Sequence, residues 1–464
     1  MPKCLDQLPP ELVFLVFERC SSAQSLYSLI SASPHCYRIF ASNPVQVLSR
    51  LLIALVPSCL RREVAAASEA AQFLPTAAKD EESEDQVKTF LDRYFGGQDF
   101  TFPNSKTSLT EAFQLHRKVC FLAEELAAKA AREARMLNRA MKQGHRYHLP
   151  DLVECEAAKP HELNMLNSEE TRLYRGFVRF ELYCRVFQAG YRFGIGGISA
   201  RDQFDVFIRH LSPWEVEEIT SIHQHCMSIV GDTLYELEEV FQIDVKAFAI
   251  SEADPKDHDR SWKEKPDPYD VVDLHDLDLG NLCMFSDDFA YEYARSLGTM
   301  AAAGLSHAFQ LATGGKDERF HLIRMNFPSM RDFLPAALEF GPVQDTMAEQ
   351  SAASPDDDDP AHASFGYCMH RRATDKKYSP ILEPDSDYPV RMLGYAFWDA
   401  KRILSPTMCR ALAVARHLSD EALCDRYLRS SEASLQSRLE RLQLYRKDLE
   451  TLEKKYGFFE ENDY

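Results

Sequence analysis

Apolar residues near the N-terminus recur at steps of one, three and four. In LPPELVFLVFERC, Leu12, Val13, Val16, Phe17 and Cys20 follow Pro9 and Pro10, a spacing that predicts a short helix with a broad apolar face. Proline suits the first turn, where its missing N–H is no loss. A second short helix is expected from about Gln24, carrying Leu26, Leu29 and Ile30. In SASPHCYRIF, Ser33 can cap and Pro34 opens a third helix, with Tyr37, Ile39 and Phe40 turned inward. Asn43 and Pro44 repeat that capping signal ahead of a fourth helix, VQVLSRLLIALV.

The helical pattern continues. REVAAASEAAQF is a good helix former, and the stretch from residue 104 to 143 reads as one long helix rich in Ala, Leu, Glu, Lys and Arg, ended by Gly144 and Pro150. Asn167 caps the next helix, whose LYRGFVRFELYCRVFQ is aromatic on several faces and therefore central. LSPWEVEEI is the strongest start signal: Ser212 at the cap, Pro213 first, and Glu215 closing a capping box on a helix that can run to about Phe241. Strand signals are sparse, so the fold class is all-α: an N-terminal three-helix module over residues 1–50, followed by a larger irregular helical domain. That domain has a first part at 51–250 and a second at 272–464, divided by a charged, proline-rich linker at 251–271. A disordered loop is expected at 345–363. A last helix from Asp420 sets Leu428, Leu435, Leu442, Leu449 and Tyr456 seven apart. These heptads could form a dimer seam, but Arg446 and Glu453 at alternate seam positions favour packing within the domain.

Composition narrows the function classes. With 464 residues the chain can bury a sizeable core, and a formal charge of −19 argues against nucleic acid and anionic membrane surfaces as partners. Its 12 cysteines include no C-x-x-C pair, as expected of free thiols in a reducing compartment, so the location is expected to be intracellular, cytoplasmic or nuclear. The apolar run from Leu12 to Phe17 is bracketed by acids and lacks a basic n-region, unlike a secretion signal. No stretch approaches the ~20 apolar residues of a membrane span; LLIALVPSCL is broken by Pro57.

Leu8-Pro9-x-Glu11-Leu12, Val16-Phe17, Leu26-x-x-Leu29-Ile30 and the run from Ser33 to Phe40 resemble the F-box, across roughly residues 4 to 50. The resemblance implies a module that docks onto the Skp-type linker subunit of a cullin ubiquitin-ligase scaffold through Leu8, Pro9, Leu12, Val13, Val16, Phe17, Leu26, Leu29, Ile30 and Tyr37. One position departs from the pattern: where many F-boxes carry Trp in the third helix, this chain has Cys36 beside Tyr37. LYRGFVRFELYCRVF, FIRHLSPWEVEEITSIHQHC and LGYAFWDAKRI further resemble segments downstream of F-box-like starts in fungal proteins, a likeness that carries no activity.

No constellation of residues points to catalysis or to a cofactor. His223, His225 and Cys226 in HQHC suggest a metal, but on a helix His225 leaves the face that His223 and Cys226 share, and no second cluster lies nearby in sequence. Gly194-x-Gly196-Gly197 lacks the strand and the G-K-[ST] ending of a phosphate loop. Four consecutive acids at 356–359 read as a solvated spacer. Trp214 with Glu215, Glu217 and Glu218, and Trp398 with Asp399, could rim a groove for a basic peptide, though filling the core is the favoured reading. Leucine-rich, WD and kelch periods are missing, leaving a non-repeat helical surface for a protein client. The expectation is a non-enzymatic ligase adaptor. The alternative is an all-α interaction or structural protein whose F-box-like helices have joined its core, and an enzyme with an unrecognised helical site is the third reading.

Overall fold

The computed structural model describes residues 7–20, 23–71, 81–102, 104–142, 165–188, 199–252, 297–298, 300–325, 333–340, 362–374 and 388–417. Among these residues there are helices and short 3-10 turns but no strand, so the described chain is all-α. The glycine-rich loop at 190–197, nearly all of the linker and of the loop at 345–363, Trp262 and the heptad helix lie outside the described residues.

Four short helices open the chain: α1 (Pro10–Glu18), α2 (Ala23–Ala32), α3 (Pro34–Ser42) and α4 (Pro44–Leu55). Three of them begin with proline, and Ser33 caps α3 by accepting the Cys36 N–H at 3.1 Å. Asn43 does not do the same for α4. It stands at the joint, but its amide donates to Ser42 Oγ at 3.3 Å instead of its oxygen accepting from the helix. Residue 50, the expected boundary of the N-terminal module, falls within α4.

The body comprises α5 (Arg61–Ala70), α6 (Glu81–Phe95), α7 (Lys106–Lys142), α8 (Asn167–Gln188), α9 (Ala200–Val206) and α10 (Pro213–Glu252), then α11 (Leu305–Thr313), α12 (Lys316–Met325), α13 (Leu334–Leu338), α14 (Phe365–Thr374), α15 (Tyr388–Met392), α16 (Ala400–Ile403) and α17 (Pro406–His417). Helix α7 matches the long helix read from the sequence. Helix α10 continues past the expected end near Phe241, to Glu252. The cap of α8 falls one residue early, at Leu166, whose N–H donates to Glu169 Oε2 at 3.0 Å. At α10 half of the capping box forms: Glu215 Oε2 accepts the Ser212 N–H at 2.8 Å.

The centre of the body is α8, as its aromatic faces required. It packs on α5, α7 and α10 and buries Leu173, Phe177, Phe180, Leu182 and Tyr183. Gly176 lets α10 and the 395–397 turn come close: a Cβ there would stand 3.3 Å from both Ile222 and Phe397 side chains. Because α17 lies along α7 and α15 on α10, residues 388–417 share a core with residues 106–233. The described residues of the first and second parts of the helical domain therefore share one core.

Candidate functional site

The four N-terminal helices contribute one end of the hydrophobic core that continues through α4 into the body. Val13 and Phe17 of α1, Leu26 of α2, Cys36 and Ile39 of α3 and Val47, Leu51 and Leu52 of α4 are all buried. Helices α1, α2 and α3 make their main contacts with one another and with α4, and α4 in turn packs on α7. Arg50 donates to Glu18 at 2.6 Å, a further tie between α4 and α1.

Filling this core leaves apolar side chains outside. Leu12 is 45 % exposed, Leu15 55 %, Tyr27 62 % and Tyr37 57 %. Isolated exposed apolar residues are ordinary, and here four large ones stand on three consecutive short helices. The expected docking residues thus fall into two groups. Pro9, Leu12 and Tyr37 are exposed, and Leu8, Val16, Leu29 and Ile30 are half-buried and still reachable. Val13, Phe17 and Leu26 are inside, in the core, because helical spacing gives apolar residues a face without saying what covers it. Tyr37, expected to turn inward with Ile39 and Phe40, points outward instead. Leu15 and Tyr27 were not anticipated; Leu15, one turn beyond Leu12, carried a detectable helical signal.

Many charged groups of the body pair with one another. Arg172 Nη1 donates to Asp399 Oδ1 at 2.5 Å, and Asp399 also accepts from the Ser168 hydroxyl. Arg175 grips Glu218 with two bonds of 3.0 and 2.6 Å, and Arg391 grips Glu217 with bonds of 2.6 and 3.0 Å. Arg402 donates to Glu169 at 2.8 Å, and Arg179 donates to Glu215 at 2.5 Å. Burial raises the Glu218 carboxyl against the pull of Arg175; at Glu215 burial also acts upward, but Arg179, the Ser212 N–H and Arg175 prevail and hold it low. The acids beside Trp214 and Trp398 are therefore paired within the chain, and both rings are buried. No acidic groove for a basic peptide is built there.

The HQHC segment is likewise taken apart. The His223 ring, lowered to about 4 by burial with the Gly298 carbonyl opposing, packs against Phe180 and Phe333. His225 faces α7, with Nε2 2.6 Å from Glu125, and burial pushes the Cys226 thiol up. Among the described residues no three His, Cys, Asp or Glu side chains converge as a metal set would. A cysteine–histidine pair does occur on α7, where Cys120 Sγ lies 3.7 and 3.8 Å from the two His116 nitrogens while His116 Nδ1 meets the Tyr174 hydroxyl at 2.7 Å. A sulfur nearly equidistant from both nitrogens lies along the lone-pair direction of neither. Burial, with Glu170 and Glu124 nearby, pushes this thiol up to about 12, the opposite of an activated nucleophile.

No single described helix is long and apolar enough to cross a membrane; the bent pair Pro44–Leu55 and Ser58–Ala70 passes by composition, with Leu51, Leu52 and Val64 buried in the core. No protein-family model, curated protein or solved structure matches the chain.

Proposed function

We propose that this protein is a substrate-recruiting adaptor of a Skp-cullin-F-box type ubiquitin ligase. On this reading α1 to α3 dock the Skp-type linker subunit, the linker joins them to the cullin scaffold, and the helical body holds a protein client without performing chemistry. The observation that carries it is the exposure of Leu12, Leu15, Tyr27 and Tyr37 on short helices whose neighbouring apolar residues Val13, Phe17, Leu26, Cys36 and Ile39 are buried. Such residues contribute most to binding when a partner removes them from water, as in helix-in-groove recognition. The F-box-like motif in the sequence supplies the identity of the partner.

The packing of α4 on α7 is what favours the second reading, a helical interaction or structural protein with these helices built into its core. The two readings separate in one experiment. Full-length protein carrying Leu8→Ala with Pro9→Ala should lose capture of the host's purified Skp-type subunit while its melting temperature stays close to that of the wild type. Capture unchanged by the double substitution overturns the adaptor reading, and a sharp fall in melting temperature on deleting residues 1–45, with no capture by the intact chain, favours the second.

A further inference from the structure

The segment entering α1 has an unusual backbone. Pro9 and Pro10 both lack an N–H, so these two residues can join backbone hydrogen bonds only through their carbonyls. The Pro9 carbonyl is used by the helix itself, accepting from Leu12 and Val13 at 3.0 and 3.2 Å. The Leu8 carbonyl, one residue earlier, is met from across the module by His35 Nε2 at 3.0 Å. A carbonyl can only accept, so Nε2 carries the hydrogen in this contact. His35 stands in the first turn of α3, next to the Ser33 cap that fixes where that helix begins. Leu8 and His35 are both half-buried, and Leu8 also rests on the core, whereas Pro9 is exposed.

We propose that His35 is a positioning residue: a latch that ties the Leu8 carbonyl, just ahead of two prolines that donate no backbone hydrogen bond, to the start of α3. It thereby holds the leading edge of the docking surface in the geometry a partner meets. Its part in docking rests on the adaptor reading; the latch itself does not. Because His35 Nε2 is directed at Leu8, it acts on the partner through that segment, and the donor rather than the ring is what matters. The binding gain comes from order present before the partner arrives.

The test uses the full-length chain with His35→Ala and His35→Gln, the second returning an N–H near the position of Nε2. Hydrogen–deuterium exchange in the free protein should quicken at the Leu12 to Phe17 amides in His35→Ala and return toward wild type in His35→Gln. Affinity for the purified Skp-type subunit, measured by calorimetry, should fall about three- to tenfold in His35→Ala, the range expected for one lost hydrogen bond, and stay within about twofold in His35→Gln. Unchanged exchange in His35→Ala overturns the latch, and so does His35→Gln behaving like His35→Ala, which would assign the effect to ring packing. Exchange that responds as expected in a protein that captures no linker, wild type included, upholds the latch and removes the adaptor reading.

Discussion

Replacing Asp399 by asparagine isolates one charge in the middle of the body. The Arg172 side chain is fully buried and that of Asp399 nearly so, and their closest atoms are 2.5 Å apart. The substitution keeps the size and planarity of the side chain but removes the negative charge, while the Phe397 carbonyl stays 3.4 Å from Arg172 Nη1. With charge centres about 4 Å apart and an effective dielectric near 20, the lost attraction is about 4 kcal/mol, which agrees with the ~3–5 kcal/mol measured when buried pairs are broken by removing one partner. Asp399→Asn should therefore lower the free energy of unfolding by about 4 kcal/mol, read from urea unfolding followed by far-ultraviolet circular dichroism. The double variant Arg172→Met with Asp399→Leu should recover most of that loss, because neither charge then has to be taken out of water. A loss under about 1 kcal/mol in Asp399→Asn, or a double variant no more stable than the single one, would refute this account.

Two more stability measurements follow from the packing. Burial lowers both His223 and His307 to about 4, below the ~6.5 of an unfolded chain, so the unfolded state takes up protons first as the pH falls. The stability these two residues permit is complete above pH 6.5 and is lost toward pH 4, by about 2 kcal/mol per histidine at pH 5; urea midpoints that match at pH 7.5 and pH 5 would rule this out. Gly366→Ala would place a Cβ 2.2 Å from the Tyr395 carbonyl oxygen, a backbone atom that cannot swing away, and should cost about 3 kcal/mol or more, whereas Gly315→Ala meets nothing within 4 Å and should leave the melting temperature nearly unchanged. Equal melting temperatures for the two glycine variants would contradict the close approach of α14 to the 395–397 turn.

Local chemistry was legible where the cause of a feature lies within a few residues. Helix α7 follows from an unbroken run of strong helix formers, the start of α3 from Ser33 and Pro34, and the central place of α8 from aromatic residues on too many faces to be solvated. The module's apolar residues were legible as a set. Their division into core and surface was not, because Val13 is covered and Leu12 is left open by the placement of α3 and α4, which an isolated helix pattern does not contain. The arginine–carboxylate pairs were also hidden. Arg172 and Asp399 are 227 positions apart, and each reads alone as an ordinary surface charge. An arginine set three residues apart along an otherwise aromatic helix, as Arg172 and Arg175 are, was the one trace they left.

The single-residue joint at Asn43 makes α4 a shared axle. Its flank meets α1 and α3, and it also rests on α7, so two independent packings must agree on one helical phase. An α-helix turns about 100° per residue, and a one-residue insertion or deletion within α4 would rotate one set of contacts by that angle relative to the other. Four residues would nearly restore the phase but shift the module about 6 Å along the axis. The length of α4 is thus constrained like the pitch of a screw.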